Sequence, residues 1–201
     1  MPAPRDSGQA TEAARQASRV LEPAPARDEQ IWTALVLGLF GVLAFVSRIP
    51  WVFAGGLALV FLGALARSRL GYYLTPEGMF IRTLAGSRTV PWDDLQRVEY
   101  VELGGGLRLL AAYFPGYAVG LFYLAGLGRQ HLLASSDRGQ GIRVHPRRGG
   151  PFIITPRDPI DALAAFEQRG VPVEAPKWIL REVRRRARSG AHPRKAGPTS
   201  E

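Results

Sequence analysis

The most pronounced pattern along the chain is an apolar run from Ile31 to Ala66, in which Arg48 is the only charged residue. A bilayer core about 30 Å thick needs roughly 20 helical residues, so this run is too long for one span and slightly short for two. Ser47-Arg48-Ile49-Pro50 divides it, because proline cannot continue a helix interior and arginine is costly inside a bilayer. The pattern therefore predicts a helical hairpin with transmembrane spans at 30–47 and 50–66.

Two further features of this run fit a membrane hairpin. Trp32 and Trp51 lie where interfacial aromatic residues are usually found. Small residues at four-residue spacing would let the helices approach closely; they are Ala34 and Gly38 in the first helix, and Ala54 and Ala58 in the second. The alternative is a buried helical pair in a soluble core, but neither helix has a polar face.

Basic residues near the two spans predict their orientation. The hairpin tip carries only Arg48, whereas Arg27 precedes the first span and Arg67 and Arg69 follow the second. We therefore expect a multi-pass protein of the cytoplasmic (inner) membrane, with both termini in the cytoplasm.

After Leu70 the chain changes to short alternating segments of the kind that form strands. Tyr72 and Leu74 alternate in the first segment and Met79 and Ile81 in the second, with a turn at 75–78 between them. A Pro-Trp-Asp-Asp turn at 91–94 comes next, and further strands are predicted at 96–103, 107–112, within 116–128, and at 131–136, 141–146 and 151–156. Strands about ten residues apart predict a mainly β domain, an antiparallel sandwich or small barrel.

A soluble helix with clear start and stop signals is predicted at 158–170. Asp158 is placed as the N-cap, Pro159 at the first helical position and Gly170 at the end. Its apolar stripe consists of Ile160, Leu163, Ala164 and Phe166. A basic helix at 177–188 is expected to form only in part.

The remaining segments complete the predicted organisation. Residues 1–29 are rich in alanine, proline and mixed charge and have few large apolar side chains, so we expect them to be disordered. The helical hairpin occupies 30–67, the barrel domain 68–170, and a basic, partly helical tail 171–201. The chain contains no cysteine, which excludes disulfides, Cys-based zinc sites and thiol catalysis.

Charge changes the picture only at the C-terminus. The net charge is +9, and residues 177–201 contribute +6 through eight basic and two acidic residues. Such a tail suits an anionic partner, and behind a membrane anchor the nearest one is acidic lipid, at up to about 1 kcal/mol per basic residue. The alternative is a solvated end that favours solubility. The candidate contacts with an anionic surface are Arg181, Arg184, Arg185, Arg186 and Arg188.

Nucleic-acid binding by the tail is not expected. Single-stranded nucleic acid is bound by basic residues interleaved with aromatic stacking residues, and Trp178 is the only ring near the basic cluster. If the tail did bind nucleic acid, the association would weaken steeply with salt and would require residues 181–195.

Two sets of motif residues carry a family resemblance. The first, in YYLTPEGMFIR and TVPWDDLQRVEYVE, consists of Tyr72 (or Tyr73), Thr75, Gly78, Met79, Val90, Pro91, Trp92, Leu95 and Val98. The second consists of Gly116, Gly120, Phe122, Gly126 and Gly128, followed by Thr155-Pro156-Arg157-Asp158-Pro159. From about Ile31 to Gly170 the chain resembles the bacterial PH-like domain family, in its membrane-anchored, Tyr/Gly-rich variant.

The resemblance implies a pleckstrin-homology-like (PH-like) barrel that is closed by a C-terminal helix and preceded by two membrane helices. It implies no enzymatic activity and no cofactor. The phosphoinositide site of eukaryotic PH domains is a cluster of lysines and arginines in the first two strands. Here that region offers only Arg82 and Arg88, which argues against inositol-phosphate binding.

Candidate catalytic groups are few. Asp93 and Asp94 are adjacent carboxylates, but in a tight turn they point apart and more simply cap the turn. His131 and His145 have no spacing that predicts a partner, and the chain has no nucleophile elbow and no H-x-x-x-H zinc motif. No catalytic, metal or cofactor site is therefore predicted.

The glycine-rich stretch 116–128 allows three interpretations. A third transmembrane span is disfavoured, because Arg108 and Arg129 bracket only 20 residues and several glycines interrupt them. A phosphate-binding loop is disfavoured by the glycine spacing. Two strands around a turn remain, with Val119, Leu121 and Tyr123 on one face and Phe122 and Leu124 on the other. The candidate membrane or partner contacts here are Tyr117, Phe122, Tyr123 and Leu124.

The pattern as a whole favours a non-enzymatic interaction or scaffold module that is integral to the bilayer. We expect a protein partner or self-association, possible contact with anionic lipid headgroups, and no small-molecule substrate. The alternative is a small membrane enzyme or transporter accessory subunit. That alternative requires a polar pocket in which His131 or His145 lies within hydrogen-bonding reach of a carboxylate.

Overall fold

The computed structural model describes residues 19–25, 29–114 and 116–189. Most of the predicted disordered segment and the end of the basic tail therefore lie outside the described residues, as does Arg27.

Two antiparallel helices form the hairpin, α1 (Glu29–Ser47) and α2 (Pro50–Arg69). Arg48 turns the chain between them with a φ of 56°, and Pro50 begins α2 as predicted. The close approach is at Gly56, where an added Cβ would lie 2.6 Å from the Cβ of Phe40. The predicted spacing of small residues was wrong, because Ala34, Gly38, Ala54 and Ala58 are exposed.

The described residues contain eleven strands in two sheets, of which one precedes the hairpin and ten follow it. They are β1 (Arg19–Leu21), β2 (Gly71–Leu74), β3 (Gly78–Thr83), β4 (Gly86–Pro91), β5 (Leu95–Gly104), β6 (Gly106–Phe114), β7 (Tyr117–Leu124), β8 (Gly128–Ala134), β9 (Arg138–Pro146), β10 (Phe152–Ile154) and β11 (Val173–Glu174). One sheet has the order β1-β2-β3-β4, and the other has the order β11-β5-β9-β10-β8-β7-β6. The β8–β10 and β5–β11 pairs are parallel, and the other pairs are antiparallel.

The alternation predicted for β2 and β3 is confirmed. Tyr72, Leu74, Met79 and Ile81 are buried, and the turn between β2 and β3 is closed by a bond from the Thr75 amide to the Gly78 carbonyl (2.9 Å). The predicted helical turn is a 3₁₀ turn at Trp92–Asp94, although no side chain caps it. These local patterns therefore place the main apolar cluster, which joins residues of both sheets and of the two C-terminal helices.

A second apolar cluster uses the other side of the seven-stranded sheet. It includes Val101, Phe122, Leu132 and Ile153. Tyr100 belongs to the main cluster while its neighbour Val101 belongs to this one, as expected for successive residues of a strand. The strands of this sheet are thus apolar on both faces over part of their length.

Residues 19–25, which we call the strap, join the two sheets. Strand β1 pairs with β2, and Leu21 is buried. Beyond it, the Ala24 amide bonds to the Thr155 carbonyl (2.9 Å) and the Arg157 amide bonds to the Glu22 carbonyl (2.6 Å). This part of the predicted disordered segment is therefore ordered, because it finds hydrogen-bond partners in β2 and in residues 155–157 after β10.

Two helices close the domain, α3 (Pro159–Gln168) and α4 (Lys177–Arg188). Asp158 caps α3 by accepting from the Asp161 amide (2.9 Å), and Leu163 and Phe166 are buried, as predicted. Helix α4 is helical over all of 177–188 and not only in part. It buries Ile179 and Val183 in the main cluster, and this tertiary contact accounts for the longer helix.

Candidate interaction surfaces

The junction between α2 and the barrel is held by bonds to the end of the helix. The Arg82 guanidinium donates to the Arg69 carbonyl (3.2 Å) and the Ser68 carbonyl (3.3 Å), which an α-helix leaves without intrahelical partners at its C-terminus. Further up the helix, Gly63 faces the ring of Phe114 at the end of β6. Helix α2 therefore continues into the domain without a flexible linker, since β2 begins at Gly71.

A cleft of about 600 Å³ lies beside this junction. It is lined by the strap, the end of α2, Gly116 and Arg157. Glu22 bonds to Arg157 at 2.8 Å, so part of the basic charge at the cleft is already balanced within the chain.

The helical hairpin leaves most of its apolar side chains exposed. They include Ile31, Leu35, Phe45, Trp51 and Phe61. Within the described residues, one helical segment, Trp51–Arg69, is long and apolar enough to cross a membrane, with a mean hydropathy of 1.6. The apolar segment of α1, Ile31–Ser47, is shorter, so a transmembrane span at α1 stays a prediction.

Helix α4 presents a basic stripe, defined here as Arg181, Arg184, Arg185 and Arg188. These residues recur at three- and four-residue spacing and are all exposed on the side opposite Ile179 and Val183. Arg185 bonds to Glu182 at 2.7 Å, and Arg184 lies 3.7 Å from Glu167. Both guanidinium groups nevertheless remain largely in solvent, so the stripe is available to a partner.

Arg186, the fifth predicted anionic contact, has a different position. Its guanidinium bonds to Asp158 at 2.6 Å and to Glu182 at 3.1 Å. These two carboxylates raise the pKa of Arg186, the bond to Asp158 having the larger effect. Arg186 therefore attaches α4 to the start of α3 with its side chain only 32% exposed, and its contact with an anionic surface stays a prediction.

Three of the four predicted contacts in the glycine-rich stretch are buried. Tyr117 lies in the main cluster, and Phe122 and Leu124 lie in the second cluster. The prediction that these three side chains contact a membrane or a partner was therefore wrong. The stretch folds as β7, and both faces of this strand are covered along part of its length. Tyr123 remains exposed.

The exposed apolar residues near Tyr123 were missed by the sequence analysis. Leu107, Leu109 and Leu110 on β6 are all exposed. The signal in the sequence was LRLLAA, an apolar strand without strict alternation, which by itself is equally typical of a strand buried on both faces.

The side chains of His145, Glu99 and Arg143 form a charged cluster across two strands. His145 Nε2 lies 3.2 Å from Glu99 Oε2, and Arg143 lies 3.8 Å from the same carboxylate oxygen. The pair meets the distance that the enzyme alternative requires. However, Glu99 lies directly opposite Arg143 and diagonal to His145 across β5 and β9, where opposite charges commonly stabilise a sheet.

The other predicted catalytic candidates lie apart from this cluster. Burial, followed by the positive charge of Arg88, lowers the pKa of His131, so its imidazole is held neutral near pH 7. Asp93 and Asp94 lie in the 3₁₀ turn. Across the part of the chain that the structure describes, no three His, Cys, Asp or Glu residues are grouped in a way that could hold a metal ion.

Comparison with known proteins identifies the family of the domain. The family model described as Bacterial PH domain matches residues 70–170, which run from the residue after α2 to the second residue after α3. No curated protein and no solved structure matches the chain. PH domains are generally non-catalytic interaction modules that bind proteins or lipids. The two sheets, the closing helix and a match over half of the chain agree, and the chain belongs to the bacterial PH domain family.

Proposed function

We propose that this protein is a membrane-anchored interaction module, with its PH domain held at the cytoplasmic face by the α1–α2 hairpin. The observation that carries the proposal is the exposed apolar surface of the hairpin, which the domain leaves uncovered. Transfer of such side chains from water into lipid is favourable by about 25 cal/mol per Å² of apolar area. A bilayer would therefore stabilise the exposed hairpin, and water would not.

The placement of charge supports a cytoplasmic domain. Arg48 is the one basic residue at the hairpin tip, whereas Arg67, Arg69 and Arg82 cluster where α2 enters the domain. Basic residues are retained on the cytoplasmic side of membrane spans. The tip would therefore lie outside, with the strap, the domain and α4 inside.

The role is one of binding rather than catalysis. The anchor supplies location, so the domain is free to bind a partner protein, and the basic stripe on α4 favours a partner with acidic chemistry. Nucleic acid and a small-molecule substrate are not part of this proposal.

Fractionation tests the anchor. The full-length chain should remain with membranes after alkaline carbonate washing and be released by detergent. Recovery in the soluble fraction without detergent would contradict the proposal.

Labelling of single cysteines tests the orientation, since the chain has no cysteine of its own. In intact cells, Ile49→Cys at the hairpin tip should react with a membrane-impermeant maleimide. Gln96→Cys, on the exposed side of β5, should react only after permeabilisation. The opposite labelling pattern would place the domain outside, and the unmodified chain controls for background.

A further inference from the structure

One face of the β6–β7 pair is buried at one end and exposed to solvent at the other. The cross-strand partners Phe114 and Tyr117, Ala112 and Val119, Leu110 and Leu121, and Leu107 and Tyr123 lie opposite one another. Residues directly opposite in an antiparallel pair share a face. A bulge at Leu109 keeps Leu107 on this face, which we call the β6–β7 face.

The two ends of the β6–β7 face have different surroundings. At the turn end, Tyr117 is buried in the main cluster and Phe114 packs against Gly63 of α2. At the other end none of the described residues covers the side chains: Leu110 is 80%, Leu107 71% and Tyr123 51% exposed. Gly63 lies one turn before Arg67, on the hairpin side of the basic end of α2. The covered end of this face therefore meets the helix where a bilayer would begin.

Charged and polar residues border the open end on one side. On β8, Arg129 lies opposite Tyr123 and His131 lies opposite Leu121. Arg108 of β6 points to the other face, where its guanidinium lies 3.5 Å from the centre of the Tyr113 ring. The open end thus combines leucines, one tyrosine and an adjacent arginine.

We propose that the open end of the β6–β7 face rests on the bilayer that holds the hairpin, with Leu107, Leu110 and Tyr123 in the interfacial layer. The inference rests on the proposed membrane anchor. Apolar side chains with a tyrosine and a bordering arginine are the composition that binds the interface between headgroups and acyl chains.

A second copy of the chain is the other occupant that an edge strand could bind. Among the described residues β6 is the last strand of its sheet, so its outer backbone groups could pair with another strand. The bulge at Leu109 interrupts the regular hydrogen-bonding edge, and bulges are a device that discourages such pairing. The continuity with α2 favours the bilayer.

The test uses nitroxide labels on single cysteines in the full-length chain, reconstituted in nanodiscs of phosphatidylcholine and phosphatidylglycerol. Leu110→Cys reports on the β6–β7 face and Phe61→Cys on the middle of α2. Gln96→Cys is the aqueous control, because position 96 lies away from α2. It follows the Trp92–Asp94 turn, in which Trp92 donates to the carbonyls of Thr75 and Glu77, just after the end of β2 that is remote from α2. Each label is scored by its collision rates with molecular oxygen and with a water-soluble nickel chelate.

We expect the labels at positions 110 and 61 to favour oxygen over the nickel chelate by at least threefold relative to the label at position 96. If position 61 is in lipid and position 110 behaves like position 96, the bilayer contact is overturned and the anchor stands. If both are in water, the anchor itself fails, and the contact with it. Spin–spin broadening at position 110, or low access to both reagents, would show a second copy or another protein instead. Equal unfolding midpoints for the three labelled chains would exclude misfolding.

Discussion

At the scale of single residues, the hydroxyl of Tyr72 links the two sheets. Tyr72 lies on β2, and its hydroxyl donates to the Leu133 carbonyl of β8 at 2.8 Å. Burial raises the pKa of this phenol well above its ordinary value, so the group stays protonated and remains a donor at every physiological pH. The interaction joins two strands that are 61 residues apart in sequence.

We expect Tyr72→Phe to lower the free energy of unfolding by about 1–3 kcal/mol, because it leaves a buried carbonyl without this donor. Tyr123→Phe removes the same atom from an exposed ring and should change stability by less than about 0.5 kcal/mol. Urea denaturation of the detergent-solubilised chain, followed by near-UV circular dichroism, measures both. Equal effects of the two substitutions would contradict the assigned role of Tyr72.

Asp158 is a second residue with more than one contact, since it caps α3 and bonds to Arg186 of α4. Burial alone would raise the pKa of this carboxyl. The Asp161 amide and the Arg186 guanidinium more than offset it, so the pKa lies below its ordinary value.

A carboxylate with a lowered pKa contributes stability that is fully present above its unfolded-state pKa, near 4, and is lost as pH falls through the lower folded-state pKa. We expect Asp158→Ala to cost about 1 kcal/mol at pH 7, as for other N-caps, and progressively less below pH 4. Asp158→Asn keeps the cap but not the charge, so it should cost less. A cost that is independent of pH between 7 and 3 would exclude a role for the charge.

At the scale of elements, α4 has two faces with separate roles. Ile179 and Val183 attach it to the main cluster, and Gln168 bonds to the Ala187 carbonyl at 2.9 Å. The basic stripe faces away from these contacts. Substitutions in the stripe should therefore change binding without unfolding the helix.

We expect Arg181→Glu combined with Arg188→Glu to abolish any preference of α4 for an anionic surface. A fluorophore on Ser189→Cys should shift its emission in nanodiscs with phosphatidylglycerol relative to phosphatidylcholine alone, and 0.5 M salt should reverse the shift. The double substitution should remove the shift while leaving the unfolding midpoint unchanged. If the wild-type stripe gives no lipid-dependent shift, its partner is not the bilayer, and an acidic protein becomes the candidate.

At the scale of the whole molecule, the chain on both sides of the hairpin attaches to the domain. α2 enters β2 directly, and the chain before α1 pairs with β2 through β1. The hairpin is thus closed at its base by the same sheet, which restricts how far the domain can turn relative to the helices.

We expect Leu21→Ala to lower the free energy of unfolding by about 2–3 kcal/mol, because Leu21 is 5% exposed and belongs to the main cluster. Val20→Ala, at a neighbouring position that is 56% exposed, is the control and should change it by less than about 0.5 kcal/mol. Limited proteolysis between the strap and α1 should accelerate only in the Leu21 variant. Similar behaviour of the two variants would mean that the strap does not contribute to domain stability.

The elements predicted from sequence are those with local signals. The turn at Arg48 and Pro50, the β2–β3 turn and the N-cap at Asp158 each depend on residues within a few positions, and the structure contains all three. The family resemblance rests on similar local residues and is confirmed. Of the five arginines named as candidate contacts from the charge of the tail, four lie in the basic stripe.

The remaining features depend on partners that are distant in the chain. The burial of Tyr117, Phe122 and Leu124, the pairing of the strap with β2, and the capture of Arg186 by Asp158 each need elements separated by tens of residues. Periodicity reports which side chains share a face, but it does not report what covers that face. The sequence by itself therefore determined the helical hairpin, the strands with their turns, and the family. Only the tertiary structure decided which apolar and basic residues remain available for binding, because availability is what packing leaves uncovered.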